Sequence, residues 1–187
     1  MEAWILAAVI TVALLWTVVI YNTLVEMKNN VRNAWKQIDV QLKRRHDLIP
    51  NLVTVVRGYM EFERETLERV TAARAGAIAA AGIRAKAEAE GILTKSLDRL
   101  FAVMENYPVL KSNENVMHLQ EELATTENKI AFSRQLYNDL VAGYSTKKEI
   151  IPNNFIAGLF HFPEFEYYSS GASDRHLPRV TPGAGMQ

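Results

Sequence analysis

Polar and apolar residues divide this chain into three regimes. From Ala3 to Tyr21 the sequence reads AWILAAVITVALLWTVVIY, nineteen residues without a charge. At a helical rise of about 1.5 Å per residue that run spans roughly 28 Å, the thickness of a bilayer's hydrocarbon layer. Directly behind it a heptad pattern begins. With Leu24 as an a position, the a and d places are Leu24, Lys28, Val31, Trp35, Ile38, Leu42, Arg45, Ile49, Leu52, Val56, Tyr59, Glu63, Thr66 and Val70, ten of fourteen apolar or aromatic. This stripe predicts a long helix packed along one face and continuous with the apolar run, since no Gly or Pro lies between Ala3 and Ile49. Pro50 then predicts either a kink with the stripe continuing or a fresh start capped by Asp47, and the unbroken a/d phase favours the kink.

Residues Thr71 to Gly91 are alanine-rich with three glycines, and the first turn-back of the chain is expected there. A second helix follows through Leu93, Leu97, Leu100 and Met104 and ends at Tyr107-Pro108, because a residue before proline disfavours the α region. Ser112 or Asn113 can cap a third, carrying Val116, Leu119, Leu123, Ile130, Tyr137, Leu140 and Tyr144 on its stripe. A short fourth helix is expected over Asn153–Phe160, and nothing from Ser169 onward is periodic. No stretch alternates with period two. The expected fold is all-α: an N-terminal transmembrane helix continuing into a long antiparallel helical bundle of three long helices plus a short C-terminal helix. The expected divisions are an anchor at 1–21, a bundle at 22–168 and a Gly/Pro/Ser-rich tail at 169–187.

The apolar run is read as a retained anchor. A cleaved signal peptide would carry a Lys or Arg before a shorter run and a small-x-small site after it, whereas only Met1 and Glu2 precede this one and it ends in Val-Ile-Tyr-Asn. Trp4, Trp16 and Tyr21 lie where amphipathic rings favour the headgroup region. Ala3, Ala7 and Thr11 repeat every four residues, a spacing that allows close helix approach and makes them self-association candidates. Lysines and arginines follow the run (Lys28, Arg32, Lys36, Lys43, Arg44, Arg45) and none precedes it. The bias places the bundle on the cytoplasmic side and the N-terminus outside.

Charge and composition narrow the function. Lys plus Arg equals Asp plus Glu at 21 each, so no net field would draw the chain to nucleic acid. Without cysteine there is no disulfide, thiolate nucleophile or zinc ribbon. The di-metal signature Glu-x-x-His is absent, since the residues three before His46, His118, His161 and His176 are Lys43, Asn115, Gly158 and Ser173. No phosphate loop or nucleophile elbow occurs, so neither enzyme nor cofactor is expected. The most polar knot, Lys43-Arg44-Arg45-His46-Asp47, would sit roughly 30 Å beyond Tyr21 on a continuous helix, too far to touch its own membrane. It is expected to pair with the glutamate-rich third helix or with a neighbouring subunit. Arg45 and Lys28 lie on the apolar stripe itself, where a charge must be paired, and Asp39 could share a network with Arg45, Arg44 and Asp47. Eight apolar residues between Phe155 and Tyr168 are expected to cap the bundle core, or, if exposed, to mark a membrane or protein contact.

The residues also carry a likeness. YNTLVEMKNNVRNAWKQIDVQLKRRHDLIPNLVTVVRGYMEFE (21–63), ENYPVLKSNENVMHLQEELATTENKIAFSRQLYNDLV (105–141) and IPNNFIAGLFHF (151–162) resemble the LemA family, in that order and up to about residue 168. The resemblance implies a single-pass inner-membrane protein with a long antiparallel bundle, and it implies no defined activity. The combined expectation is a membrane-anchored scaffold or adaptor that self-associates and binds a protein partner. Oligomers that organise or remodel the membrane are the second reading, and a hydrolase or metal enzyme is the third.

Overall fold

The computed structural model describes residues 1–60 and 63–169 of the chain, which form six helices and, among those residues, no strand. The apolar run and the heptads form one helix, α1 (Glu2–Arg57), 56 residues or about 84 Å long. Its first eighteen residues are exposed apart from a half-buried Thr17, and burial begins at Ile20 and Leu24. From there the buried positions follow the a/d stripe: Val31, Ile38, Leu42, Arg45, Ile49, Leu52 and Val56.

Pro50 neither ends α1 nor restarts it. Gly58 does end it, in a turn whose Tyr59 and Met60 amides both reach the Val56 carbonyl (3.0 and 3.1 Å), and Met60 drops into the core. The chain thus reverses earlier than the alanine-rich segment, where the first turn-back is expected. Thr66 and Val70 keep the heptad phase but stand on a separate helix, α2 (Arg64–Ala79). The periodicity hid this break because the buried stripe resumes in register beyond it. A second reversal at 80–82 does fall in the alanine-rich segment, where Gly82 takes φ +85°. Only glycine enters that region without strain.

Helix α3 (Ile83–Met104) buries Leu93, Leu97, Leu100 and Met104 as the spacing predicts. The one-turn α4 (Pro108–Lys111) occupies the connection behind Tyr107. Asn113 caps α5 (Glu114–Glu149), its Oδ1 accepting from the amides of Asn115 and Val116 at 3.0 and 3.2 Å. Each such cap satisfies donors that a helix start leaves free and contributes about 1 kcal/mol. Trp35 meets Tyr137 while Arg44 meets Glu122, so α5 runs antiparallel to α1. Asp39 meets Lys86 while Arg45 meets Glu90, so α3 runs parallel to α1, with α2 descending between. The bundle is therefore up-down-up-down.

After α6 (Asn153–Leu159) the chain climbs α5 as an extended strap. Its backbone has no ladder partner, and α5 side chains supply the bonds. The hydroxyls of Tyr144 and Tyr137 donate to the carbonyls of Pro163 and Glu166 (both 2.8 Å), and Asn138 holds both the amide and the carbonyl of Tyr168 (2.8 and 3.0 Å). Buried backbone groups need such partners. The tail expected at 169–187 lies, from residue 170 onward, outside the described residues.

Candidate functional site

The bundle has two apolar cores. A distal one gathers Ile49, Leu52, Val56, Met60, Leu93, Leu97, Leu100 and Leu123, and one nearer the apolar run gathers Leu24, Val31, Ile38, Leu42, Ile130, Tyr137, Val141 and Tyr144. Between them lies a polar layer.

Arg45, 3% exposed, places Nη1 3.4 Å from Glu90 and 2.9 Å from Glu127, and Nη2 donates to the Thr94 hydroxyl at 2.8 Å. His46 Nε2 lies 2.7 Å from the other Glu90 oxygen. Glu90 is wholly buried, so both of its oxygens depend on these two neighbours. One turn of α1 and about a turn each of α3 and α5 supply the whole layer, because the buried stripes bring 45 and 90 inward at one height and the half-buried Glu127 flanks them from α5.

The sequence-predicted polar residues separate here. Arg45 enters the layer. Arg44 pairs at the surface with Glu122, and the guanidinium holds that carboxyl below its ordinary range by its hydrogen bond and its charge. Asp39 does not join Arg45; it takes Lys86 at 2.6 Å, whose ammonium also lies 5.6 Å from the Trp35 ring centroid. Among the described residues Asp47 reaches only Lys43, four residues back and exposed. Lys28, the other charge on the stripe, rests over the Phe162 ring at 5.4 Å. Glu90 and Thr94 were not legible as partners in the alanine-rich reading. Glu90 does lie three and seven residues before Leu93 and Leu97, a spacing that assigns it to their buried stripe. Among the described residues no three His, Asp or Glu side chains converge as a metal site would need.

A second concentration of features sits at one end of the bundle, where α1 leaves the apolar run. Tyr21 packs edge-on against Phe160 and Phe162, with centroids at 4.8 and 5.7 Å. The terminal aromatic segment therefore does not cap the bundle as a unit. Phe162 and Tyr168 are buried and Ile156 and Phe165 half-buried, while Phe155, Leu159, Phe160 and Tyr167 face outward. Above this end, Asn29, Arg32, Asn33, Trp35, Lys36 and Phe165 line an open groove of about 550 Å³.

Within the apolar run, Trp4 and Trp16 are exposed, and so is the face bearing Ala3, Ala7 and Thr11. The threonine hydroxyls do not reach outward: Thr11 and Thr17 donate to the carbonyls of Ala7 and Ala13 at 2.8 and 2.9 Å. Such back-bonding satisfies a hydroxyl where water is absent. This helix has the length and hydropathy to cross a membrane.

Comparison with known proteins agrees with the likeness in the residues. The magnetosome proteins MamQ 1 and MamQ 2 of Paramagnetospirillum magneticum are each 27% identical to the chain, over 87% of its length and 69% of theirs. Protein LemA of Metamycoplasma hominis is 24% identical over 73% of the chain and 63% of its own length. The LemA family pattern matches residues 34–181, beginning inside the heptads and running past the boundary at 168 that composition suggested. This all-helical, membrane-associated chain belongs to the LemA family.

Proposed function

We propose that this protein is a single-pass, membrane-anchored scaffold or adaptor that self-associates and presents its bundle to a protein partner, without catalytic chemistry or cofactor. The observation that carries the reading is the continuity of α1: one helix is bare and apolar for its first third and is a core element of the bundle for the rest. Membrane lipid is then the partner of the first third. A rigid rod extends about 54 Å beyond Tyr21. The basic residues behind the run support an inner, plasma-membrane location with the N-terminus outside and the bundle in the cytoplasm. Relatives that carry the name magnetosome protein fit a role within an assembly.

Light scattering of the full chain in detergent, beside a chain beginning at Asn22, tests this. The expected result is a discrete oligomer that falls to monomer without the apolar run, with Ala3, Ala7 and Thr11 as the face to substitute next. A monomer in both cases would remove self-association. The second reading, an oligomer that organises its bilayer, is supported by the aromatic cluster at Tyr21, which sets the C-terminal segment beside the end of the apolar run rather than at the far end of the rod.

A further inference from the structure

The short helix α6 is held by one face only. Asn153 and Ala157 are buried against α1 and α5, Ile156 is half-buried, and the Asn153 side chain donates to the Lys147 carbonyl at 2.8 Å, fixing α6 to the end of α5. The opposite face is also apolar. Phe155 and Leu159 stand one turn apart on it and are 71% and 72% exposed, and Ile151, just ahead of the helix, is 77% exposed. A helix that is apolar on both sides while only one is packed is missing a surface.

The position of α6 names that surface. Phe160, which follows its last turn, lies ring to ring with Tyr21, the last residue of the apolar run. With α1 spanning a bilayer, Tyr21 stands at the headgroup level, and so must the helix packed beside it. Its bare apolar face is then continuous with the lipid-facing surface of α1.

Building on the membrane-anchored reading, we propose that α6 is a second membrane contact of the same chain: an interfacial foot whose Phe155 and Leu159, beside the preceding Ile151, enter the headgroup and acyl boundary of the bilayer that α1 spans. The contact is apolar rather than electrostatic. Residues 151–159 carry no charged side chain, so the face itself calls for no anionic lipid. A rod held at a single exit point can tilt freely. A foot fixed to both α1 and α5 sets the angle at which the bundle stands on the membrane.

The absence of cysteine makes the test direct. Four single-cysteine chains, Phe155→Cys, Leu159→Cys, Val12→Cys and Val40→Cys, each full length, carry a nitroxide label and are reconstituted into phosphatidylcholine vesicles. Collisions with dissolved oxygen and with a water-soluble nickel chelate report depth. The expected result is oxygen collisions exceeding nickel collisions at 155 and 159 as at Val12, and the reverse at Val40, which is exposed on the bundle. Aqueous labels at 155 and 159 with Val12 in lipid would overturn the foot and leave the anchor standing. Labels at 155 and 159 shielded from both reagents would put a second protein surface there instead of lipid. An aqueous label at Val12 would overturn the membrane-anchored reading and the foot with it.

Discussion

Arg74 of α2 donates its Nε–H to the main-chain carbonyl of His46 at 2.7 Å. That carbonyl is the one Pro50 leaves unserved, because in an α-helix it would receive the amide proton of residue 50, and proline has none. The proline sits inside α1 without ending it, and the neighbouring helix supplies the missing donor.

Removing that donor should destabilise the chain by about 1.5 kcal/mol, the lower end for a hydrogen bond from a charged group. The effect should depend on the proline. In a Pro50→Ala background, residue 50 can serve the His46 carbonyl itself, and Arg74→Ala should lose less. Denaturation midpoints of the four chains of this cycle, in detergent, measure the coupling. Equal losses in both backgrounds would show that Arg74 acts elsewhere.

The polar layer gives a larger and more structured expectation. Glu90→Ala leaves Arg45 buried without its inner partner and should cost about 3–5 kcal/mol. Replacing Arg45, His46 and Glu90 together with Met, Leu and Leu should recover most of that loss, since buried ion pairs add little over well-packed apolar groups. What the triple change should forfeit is register, seen as broadened amide resonances or a widened unfolding transition. A triple variant as unstable as Glu90→Ala would mean that the layer contributes net stability.

Two glycines should respond in opposite directions to the same substitution. Gly76 lies inside α2 with open space where a Cβ would stand, so Gly76→Ala should stabilise by about 0.5–1 kcal/mol. Gly82 also has open space, but its φ of +85° and ψ of 161° make Gly82→Ala unfavourable by about 1–3 kcal/mol. Thermal midpoints of the two variants that moved the same way would contradict the turn at 80–82.

The strap should release in alkali. Burial pushes the Tyr137 hydroxyl from an ordinary 10 up to about 12, and burial raises Tyr144 and Tyr168 in the same direction. For a group whose folded pKa is raised, the stabilisation is complete below the unfolded value and is lost as pH rises through the folded one. Stability should therefore hold to about pH 10 and fall toward about pH 12, with tyrosinate absorbance rising in parallel. Tyr137→Phe should flatten that fall, at the expense of the Glu166 hydrogen bond at neutral pH. A pH profile unchanged by Tyr137→Phe would show that the strap is not what alkali releases.

Periodicity alone was enough for the all-helical class, for the buried stripes of α1, α3 and α5 and for the uncharged run, because burial on one face of a helix and in a bilayer both leave a repeating signature in one dimension. The same logic marked Arg45 as a charge that must be paired. Its partners were not legible. Glu90 and Thr94 stand 45 and 49 residues away, and only the folding of α3 alongside α1 decides that Arg45 meets them while Asp39 goes to Lys86. The break at Gly58 was equally invisible, since Thr66 and Val70 resume the stripe on the next helix. The aromatic segment shows the division most clearly. Its composition declared an apolar surface in need of cover, but which residues turn inward, and that the segment lies beside Tyr21 rather than at the far end of the rod, depends on the path of α5 and the strap. Sequence records what each residue needs from its surroundings, and the tertiary arrangement determines which neighbour meets that need.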